Sequence, residues 1–75
     1  MTDFKDVVRF KSVECVAETD LALLVEIEGA PEGIWIPKTQ IDNTSELRED
    51  CATDVGELVV SRWIAREKKI ENLAD

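Results

Sequence analysis

The chain has 75 residues, of which 44% are hydrophobic, and its 17 acidic and 9 basic residues give a formal net charge of -8. A chain of this length buries only about 60% of the surface that its unfolded form exposes, so a single domain with one small core is expected over residues 1–75. The acidic balance argues against direct nucleic-acid binding, because phosphate contacts need clustered lysine and arginine.

The start of the chain, MTDFKDVVRF, carries charge throughout and lacks the basic beginning and apolar run of a secretory signal. No apolar stretch approaches the roughly 20 residues that a transmembrane helix needs. The sequence therefore predicts a cytoplasmic protein. In that compartment Cys15 and Cys51 are expected to be reduced thiols rather than a disulfide.

Residues 10–29 predict a β-hairpin. Apolar and polar side chains alternate on both sides of a turn predicted at residues 18–20. One register puts the alternating apolar side chains on a single face. It pairs Ala17 with Leu21, Cys15 with Leu23, and Val13 with Val25.

The segment EGAPEG, residues 28–33, predicts a second reversal, because glycine and proline favour turns. The expected pairing of the next strand is Ile27 with Ile34 and Val25 with Ile36. Trp35 then lies beside Glu26 on the opposite face. We expect Trp35 to pack in a second, smaller cluster, covered by the C-terminal helix or by closure of the strands into a barrel. The alternative is an exposed aromatic anchor for a protein contact.

The second half of the chain predicts a helical turn, a strand and a helix. A capping-box-like start at Asn43 favours one helical turn over residues 45–50. Residues 57–60 predict a strand, and Ser61 is suited to cap a final helix over residues 62–74. The residues expected to share one face of this helix are Trp63, Ile70, Leu73 and Ala74. The predicted fold class is α+β: an antiparallel β-meander of four to five strands, forming a sheet or small barrel, with a short helical turn and a C-terminal helix.

The sequence has no catalytic signature. It lacks histidine, the commonest general base, and it contains no phosphate-binding glycine loop and no hydrolase nucleophile motif. Two cysteines far apart cannot form a closed zinc site by themselves. Glu49 and Asp50 precede Cys51 and are expected to raise the pKa of its thiol. We predict a protein without enzymatic activity, cofactor or metal.

The acidic residues are concentrated in two parts of the chain. Residues 14–37 contain six acids and no base, and residues 42–57 contain six acids and one arginine. The predicted C-terminal helix differs, because its bases outnumber its acids. One interpretation is a solvated surface that keeps a small protein soluble. The other is an acidic face that imitates the phosphate backbone and complements the basic groove of a nucleic-acid-handling protein.

Four segments, taken in order and spacing, resemble a family of very small phage and prophage proteins that mostly have no assigned function. They are ALLVEI at 22–27, WIPKTQI at 35–41, SEL at 45–47 and GELVVSRWIA at 56–65. The family pattern has serine where Thr39 stands, so a hydroxyl is kept there. The resemblance implies a phage origin. Phages encode many small acidic proteins, among them anti-CRISPR and anti-restriction proteins, that block host defence nucleases by occupying their DNA-binding surfaces.

This resemblance and the charge distribution predict an anti-CRISPR-like inhibitor in the host cytoplasm. Its partner would be a CRISPR effector or another defence nuclease complex, bound at its basic nucleic-acid-binding surface. The inhibitor itself could be a monomer or a dimer. The residues expected to bind the partner are Glu14, Glu26, Glu28, Glu32, Trp35, Asp42, Glu46, Glu49, Asp50 and Asp54.

Two alternatives stay open. The first is an accessory module of phage replication or recombination, acting through protein contacts or through weak nucleic-acid binding by the basic C-terminal helix. Its binding residues would be Arg62, Arg66, Lys68 and Lys69. The second is a structural phage component that works as an oligomer. Its apolar contact face would be formed by Val16, Leu24 and Trp35.

Overall fold

The computed structural model describes residues 6–74, which form an α+β fold on one antiparallel four-stranded sheet. The elements are β1 (Val7–Glu18), β2 (Ala22–Ile27), β3 (Ile34–Pro37), β4 (Val55–Ser61), the helix α1 (Arg62–Glu67) and two short 3-10 helices, Lys38–Gln40 and Glu71–Leu73. The strand order is β3-β2-β1-β4, so the predicted fold class is confirmed as an open sheet rather than a barrel. Residues 1–5, which belong to the charged start that argued against a signal, lie outside the described residues.

The register between β1 and β2 differs by two residues from the predicted one. Val13 pairs with Ile27 rather than Val25, and Cys15 pairs with Val25 rather than Leu23. Side chains alternate between faces with a period of two, so a displacement of two residues keeps these four side chains on their predicted core face. All four are buried. Ala17, also predicted on the core face, instead pairs with Leu24, a residue of the opposite face.

Turn chemistry explains the difference in register. The Thr19 hydroxyl accepts hydrogen bonds from the backbone N–H groups of Leu21 (3.3 Å) and Ala22 (3.1 Å), which moves the turn beyond the predicted residues 18–20. A β-bulge between Cys15 and Ala17 absorbs the extra residue. Leu21 consequently lies in the turn with 79% of its surface exposed instead of facing Ala17.

The β2–β3 pairing is also displaced by two residues. Val25 pairs with Ile34, so Leu24 rather than Glu26 is the partner of Trp35. The loop of residues 28–33 begins with a turn in which the Ala30 N–H donates to the Ile27 carbonyl (3.0 Å) and Gly29 adopts a left-handed conformation (φ +96°) near Leu73. A Cβ atom at Gly29 would lie 2.9 Å from Leu73 Cδ2.

The core lies on one face of the sheet. The strands contribute Val8, Phe10, Val13, Cys15, Leu23, Val25, Ile27, Ile36, Leu58 and Val60. Residues that follow β3 and β4 pack in the same cluster: Ile41, Leu47, Cys51, Ile64, Ala65 and Ile70. The sheet is therefore covered on this face by the β3–β4 crossover and by the C-terminal segment.

The β3–β4 crossover runs along the outer edge of β4 and pairs with it. Ile41 forms a β-bridge with Val60, and the Asp42 N–H donates to the Val59 carbonyl (2.8 Å). The buried Ser45 hydroxyl accepts from the Val59 N–H (3.0 Å) and donates to the Leu47 carbonyl (2.8 Å). The predicted helical turn over residues 45–50 is therefore wrong, because Ser45 uses its hydroxyl to bind β4 rather than to start a helix.

Ser61 caps α1 as predicted, since its hydroxyl accepts from the Ile64 N–H at 3.3 Å. The helix is shorter than predicted because Lys69 adopts a left-handed conformation (φ 60°), and Ile70 then turns back into the core. Ile64 is buried, whereas Trp63 is 60% exposed, so the predicted apolar face built on Trp63 is wrong. In the described part of the chain, no helix is long and apolar enough to cross a membrane.

We expect Ser45→Ala to lower the free energy of unfolding by about 1–3 kcal/mol, because the substitution leaves the buried Val59 N–H without its acceptor. Urea denaturation at pH 7 measures this loss. Ser12→Ala is the control. Ser12 is exposed on β1, so this substitution should change the free energy of unfolding by no more than about 0.5 kcal/mol. Equal stabilities of the two variants would contradict the role given to Ser45.

Candidate protein-binding surface

The sheet face opposite the core, which we call the outer face, carries two glutamates in direct register. Glu14 on β1 pairs with Glu26 on β2, and both are exposed. Their sequence neighbours Val13 and Ile27 are buried in the core, so alternation puts both glutamates on the outer face. Directly opposed residues of an antiparallel pair have Cβ atoms about 4.5–5.5 Å apart. The sheet thus holds two like charges close together.

The loop of residues 28–33 brings two more carboxylates to this place. Glu28, Glu32, Glu14 and Glu26 line one concavity of about 490 Å³, together with Ser12, Val55 and the turn residues between the two loop glutamates. We call this the acidic concavity. The structure therefore joins four sequence-predicted binding residues in one surface feature.

The ion pairs of Arg9, Lys38, Arg62 and Arg66 do not involve the four glutamates of the acidic concavity. They join Arg9 to Glu57, Lys38 to Glu18, Arg62 to Asp6 and Glu71, and Arg66 to Glu71. A cleft lined by one sign of charge focuses its field and attracts ions of the opposite sign. The acidic concavity is therefore suited to lysine or arginine side chains that project from a partner.

Trp35 lies on the outer face beside Leu24, and 44% of its surface is exposed. The expected cover by the C-terminal helix is wrong, because that helix packs Ile64 and Ala65 into the core on the other face. Ala22 and Leu24 are partly buried next to it. An exposed aromatic ring is thus displayed on the face that carries the acidic concavity, which agrees with the alternative interpretation of Trp35 as an anchor.

The acids of the crossover divide into two groups. Asp42 is buried and accepts hydrogen bonds from the backbone N–H (3.0 Å) and the hydroxyl of Thr44, and Glu46 Oε1 accepts from the Glu57 N–H at 2.7 Å. Both hold the crossover in place, so we leave them out of the candidate surface. The other predicted binding residues of this segment, Glu49, Asp50 and Asp54, are exposed on the loop before β4.

Glu18 is an important residue that sequence reasoning did not single out. Its Oε2 accepts from Lys38 Nζ (2.6 Å) and from the Asp50 N–H (3.1 Å), and its Oε1 accepts from the Cys51 N–H (3.1 Å). These bonds, the one from Lys38 first, hold the pKa of Glu18 below its usual value. Its partners lie 20 to 33 residues away in the chain, so no local pattern indicated them.

Cys15 and Cys51 are both free and buried. Burial raises the pKa of the Cys51 thiol to about 12, with a further contribution from a hydrogen bond with Cys15. The direction agrees with the prediction, but burial is the main cause rather than the adjacent Glu49 and Asp50. No group of three or more potential metal ligands occurs among residues 6–74.

Most of the arginine charge of the C-terminal segment is paired. Arg62 donates to Asp6 (2.8 Å) and to Glu71 (2.5 Å), and Arg66 donates to Glu71 (3.3 Å). Lys68 and Lys69 are exposed after the end of α1. The basic surface predicted over this helix is therefore smaller than the sequence indicated.

Comparison of the chain with protein-family models, curated proteins and solved structures finds no match.

Glu26→Gln should raise the free energy of unfolding by about 0.5 kcal/mol, because it removes the like-charge contact with Glu14. Urea denaturation at low ionic strength measures the gain, which should shrink in 0.5–1 M salt, where the Debye length falls to a few ångströms. Glu49→Gln is the control, since Glu49 interacts with Lys38 and its neutralisation should bring no gain. A loss of stability in Glu26→Gln would refute the repulsion.

Glu18→Gln should make stability less dependent on pH. Because the folded-state pKa of Glu18 is lowered, its contribution is present above the unfolded pKa of about 4.3 and is lost as the pH falls through the folded value. The stability difference between wild type and variant should therefore be largest near pH 7 and should narrow below about pH 4. Urea denaturation at several pH values measures it. The exposed Glu67→Gln is the control, and a constant Glu18→Gln difference would contradict the assignment.

Proposed function

We propose that this protein is a stoichiometric inhibitor that binds a basic nucleic-acid-binding surface of a host defence nuclease complex, as anti-CRISPR proteins do. The observation that carries the proposal is the convergence of Glu14, Glu26, Glu28 and Glu32 in one concavity. The opposed pair Glu14 and Glu26 is unfavourable for folding, and binding a cationic partner would offset that repulsion.

The proposed binding mode is charge complementarity around an aromatic anchor. Lysine and arginine side chains that normally contact phosphates would enter the acidic concavity, and Trp35 on the same face would supply apolar contact area. Buried aromatic residues often dominate the binding energy of protein interfaces, while surrounding charges steer association and set specificity. The phage origin, and with it a host cell as the site of action, is supported by the sequence resemblance.

Nucleic-acid binding by the C-terminal helix has weaker support. Arg62 and Arg66 already bind acidic side chains of the same chain, and a nucleic acid would have to displace them. Each phosphate contact needs an available cation, and the segment leaves few. We therefore favour the inhibitor.

The test is a nuclease-treated pull-down from host lysate that contains active defence systems, washed at low and then high salt. We expect recovery of a defence nuclease subunit that elutes at high salt, because exposed charge pairs are screened there. The purified subunit should then lose nucleic-acid binding when the protein is added in equimolar amount. Recovery of the bait alone, or nucleic-acid binding by the protein itself, would refute the proposal.

The double variant Glu26→Lys with Glu28→Lys should lose capture of that subunit at least a hundredfold while remaining folded, since it reverses the sign of the acidic concavity. Titration by calorimetry measures the affinity, and circular dichroism measures folding. The matched control is Asp20→Lys with Glu67→Lys, which makes the same change in net charge at exposed positions outside the concavity. Equal losses in both double variants would show that only net charge matters.

A further inference from the structure

The two edges of the sheet differ in how they are protected. The β4 edge is paired with the crossover, whereas β3 lies at the other end of the strand order. The Lys38 N–H donates to the Leu21 carbonyl (2.8 Å), which marks a hydrogen-bonded position of the β2–β3 ladder. Such positions alternate in an antiparallel pair, so Ile36 and Ile34 also bond to β2. The backbone N–H and C=O of Trp35 therefore point away from β2, at the sheet edge.

A groove of about 600 Å³ lies next to this edge. One wall is the loop of residues 29–33 with Ile34 and Trp35. The other wall is formed by the C-terminal residues Lys68, Lys69, Ile70, Asn72 and Leu73. Ile70 and Leu73 contribute apolar surface. Lys68 and Lys69 are exposed, and they add positive charge to the groove of a chain whose net charge is -8. The groove thus combines a strand edge, apolar side chains, two lysines and one carboxylate, Glu32, so that cations outnumber anions in its lining.

We infer that this groove binds an extended acidic segment of a partner protein, which adds as a further strand to the edge of β3. The backbone N–H and C=O of Trp35 would pair with the added strand, and Lys68 and Lys69 would contact its carboxylates. Strand addition takes affinity from backbone hydrogen bonds and specificity from alternate side chains. Charge complementarity selects the acidic segment.

This site adjoins the acidic concavity, because residues 29–32 line both. It uses the β3 edge and the two lysines, and it does not depend on the proposed function. β3 is only four residues long and ends at Pro37, which has no N–H, so its edge resists uncontrolled pairing. A short acidic segment fits these limits better than nucleic acid, whose binding needs more cations than two lysines.

Amide hydrogen exchange tests the strand edge. In the free protein, the Trp35 N–H should exchange at least tenfold faster than those of Ile34 and Ile36, which bond to β2. An acetylated heptapeptide of alternating glutamate and valine should then slow exchange at Trp35 without changing its two neighbours. If the Trp35 N–H exchanges slowly in the free protein and sedimentation shows a dimer, a second copy of the chain already occupies the β3 edge. That result would overturn the inference.

Peptide titration followed by amide chemical shifts tests the charge requirement. The heptapeptide with lysine in place of glutamate should bind at least tenfold more weakly. Lys68→Glu should raise the dissociation constant of the acidic peptide at least tenfold, while Arg48→Glu, an exposed reversal outside the groove, should leave it within about threefold. Equal binding of the two peptides, or equal effects of the two variants, would overturn the inference.

Discussion

The fold depends on how the chain crosses from the β3 edge of the sheet to the β4 edge. Ser45 fixes this crossover, because its buried hydroxyl accepts a hydrogen bond from the Val59 N–H and donates one to the Leu47 carbonyl. The crossover then covers the core with Ile41 and Leu47 and occupies the β4 edge. A sheet whose two edge strands are both unpaired can associate with strands of other chains. Among the strands of residues 6–74, the short β3 edge keeps that capacity.

Charge is divided between structural and available groups. Glu18 is tied to Lys38 and to the loop that carries Cys51, and Glu71 is tied to Arg62, so these acids stabilise the fold. Glu14 and Glu26 face each other on the outer face and work against it. Like charges held in register have a destabilising effect that a cationic partner can relieve. The acids that stabilise the fold through ion pairs are therefore different residues from the acids that form the candidate surface.

Much of the fold followed from alternation and local chemistry. The apolar pattern predicted the two hairpins and the core face, and Ser61 was identified as the cap of α1. The pairs themselves were displaced by two residues, since alternation determines the face of a side chain but not its partner. In the β1–β2 hairpin the choice of partner depended on the Thr19 turn and on the bulge between Cys15 and Ala17, which form only when the strands meet.

The sequence by itself determined the fold class, the acidic character of two segments and the absence of histidine, because these follow from residue types and their spacing. Tertiary structure decided which acids meet. It buried Asp42, joined Glu14 to Glu26, and left Trp35 exposed at the edge of the sheet. Those outcomes depend on strand order and on residues more than ten positions apart, and no local pattern carries that information. Acidic residues that are dispersed along two segments therefore form a site only when the strands pair.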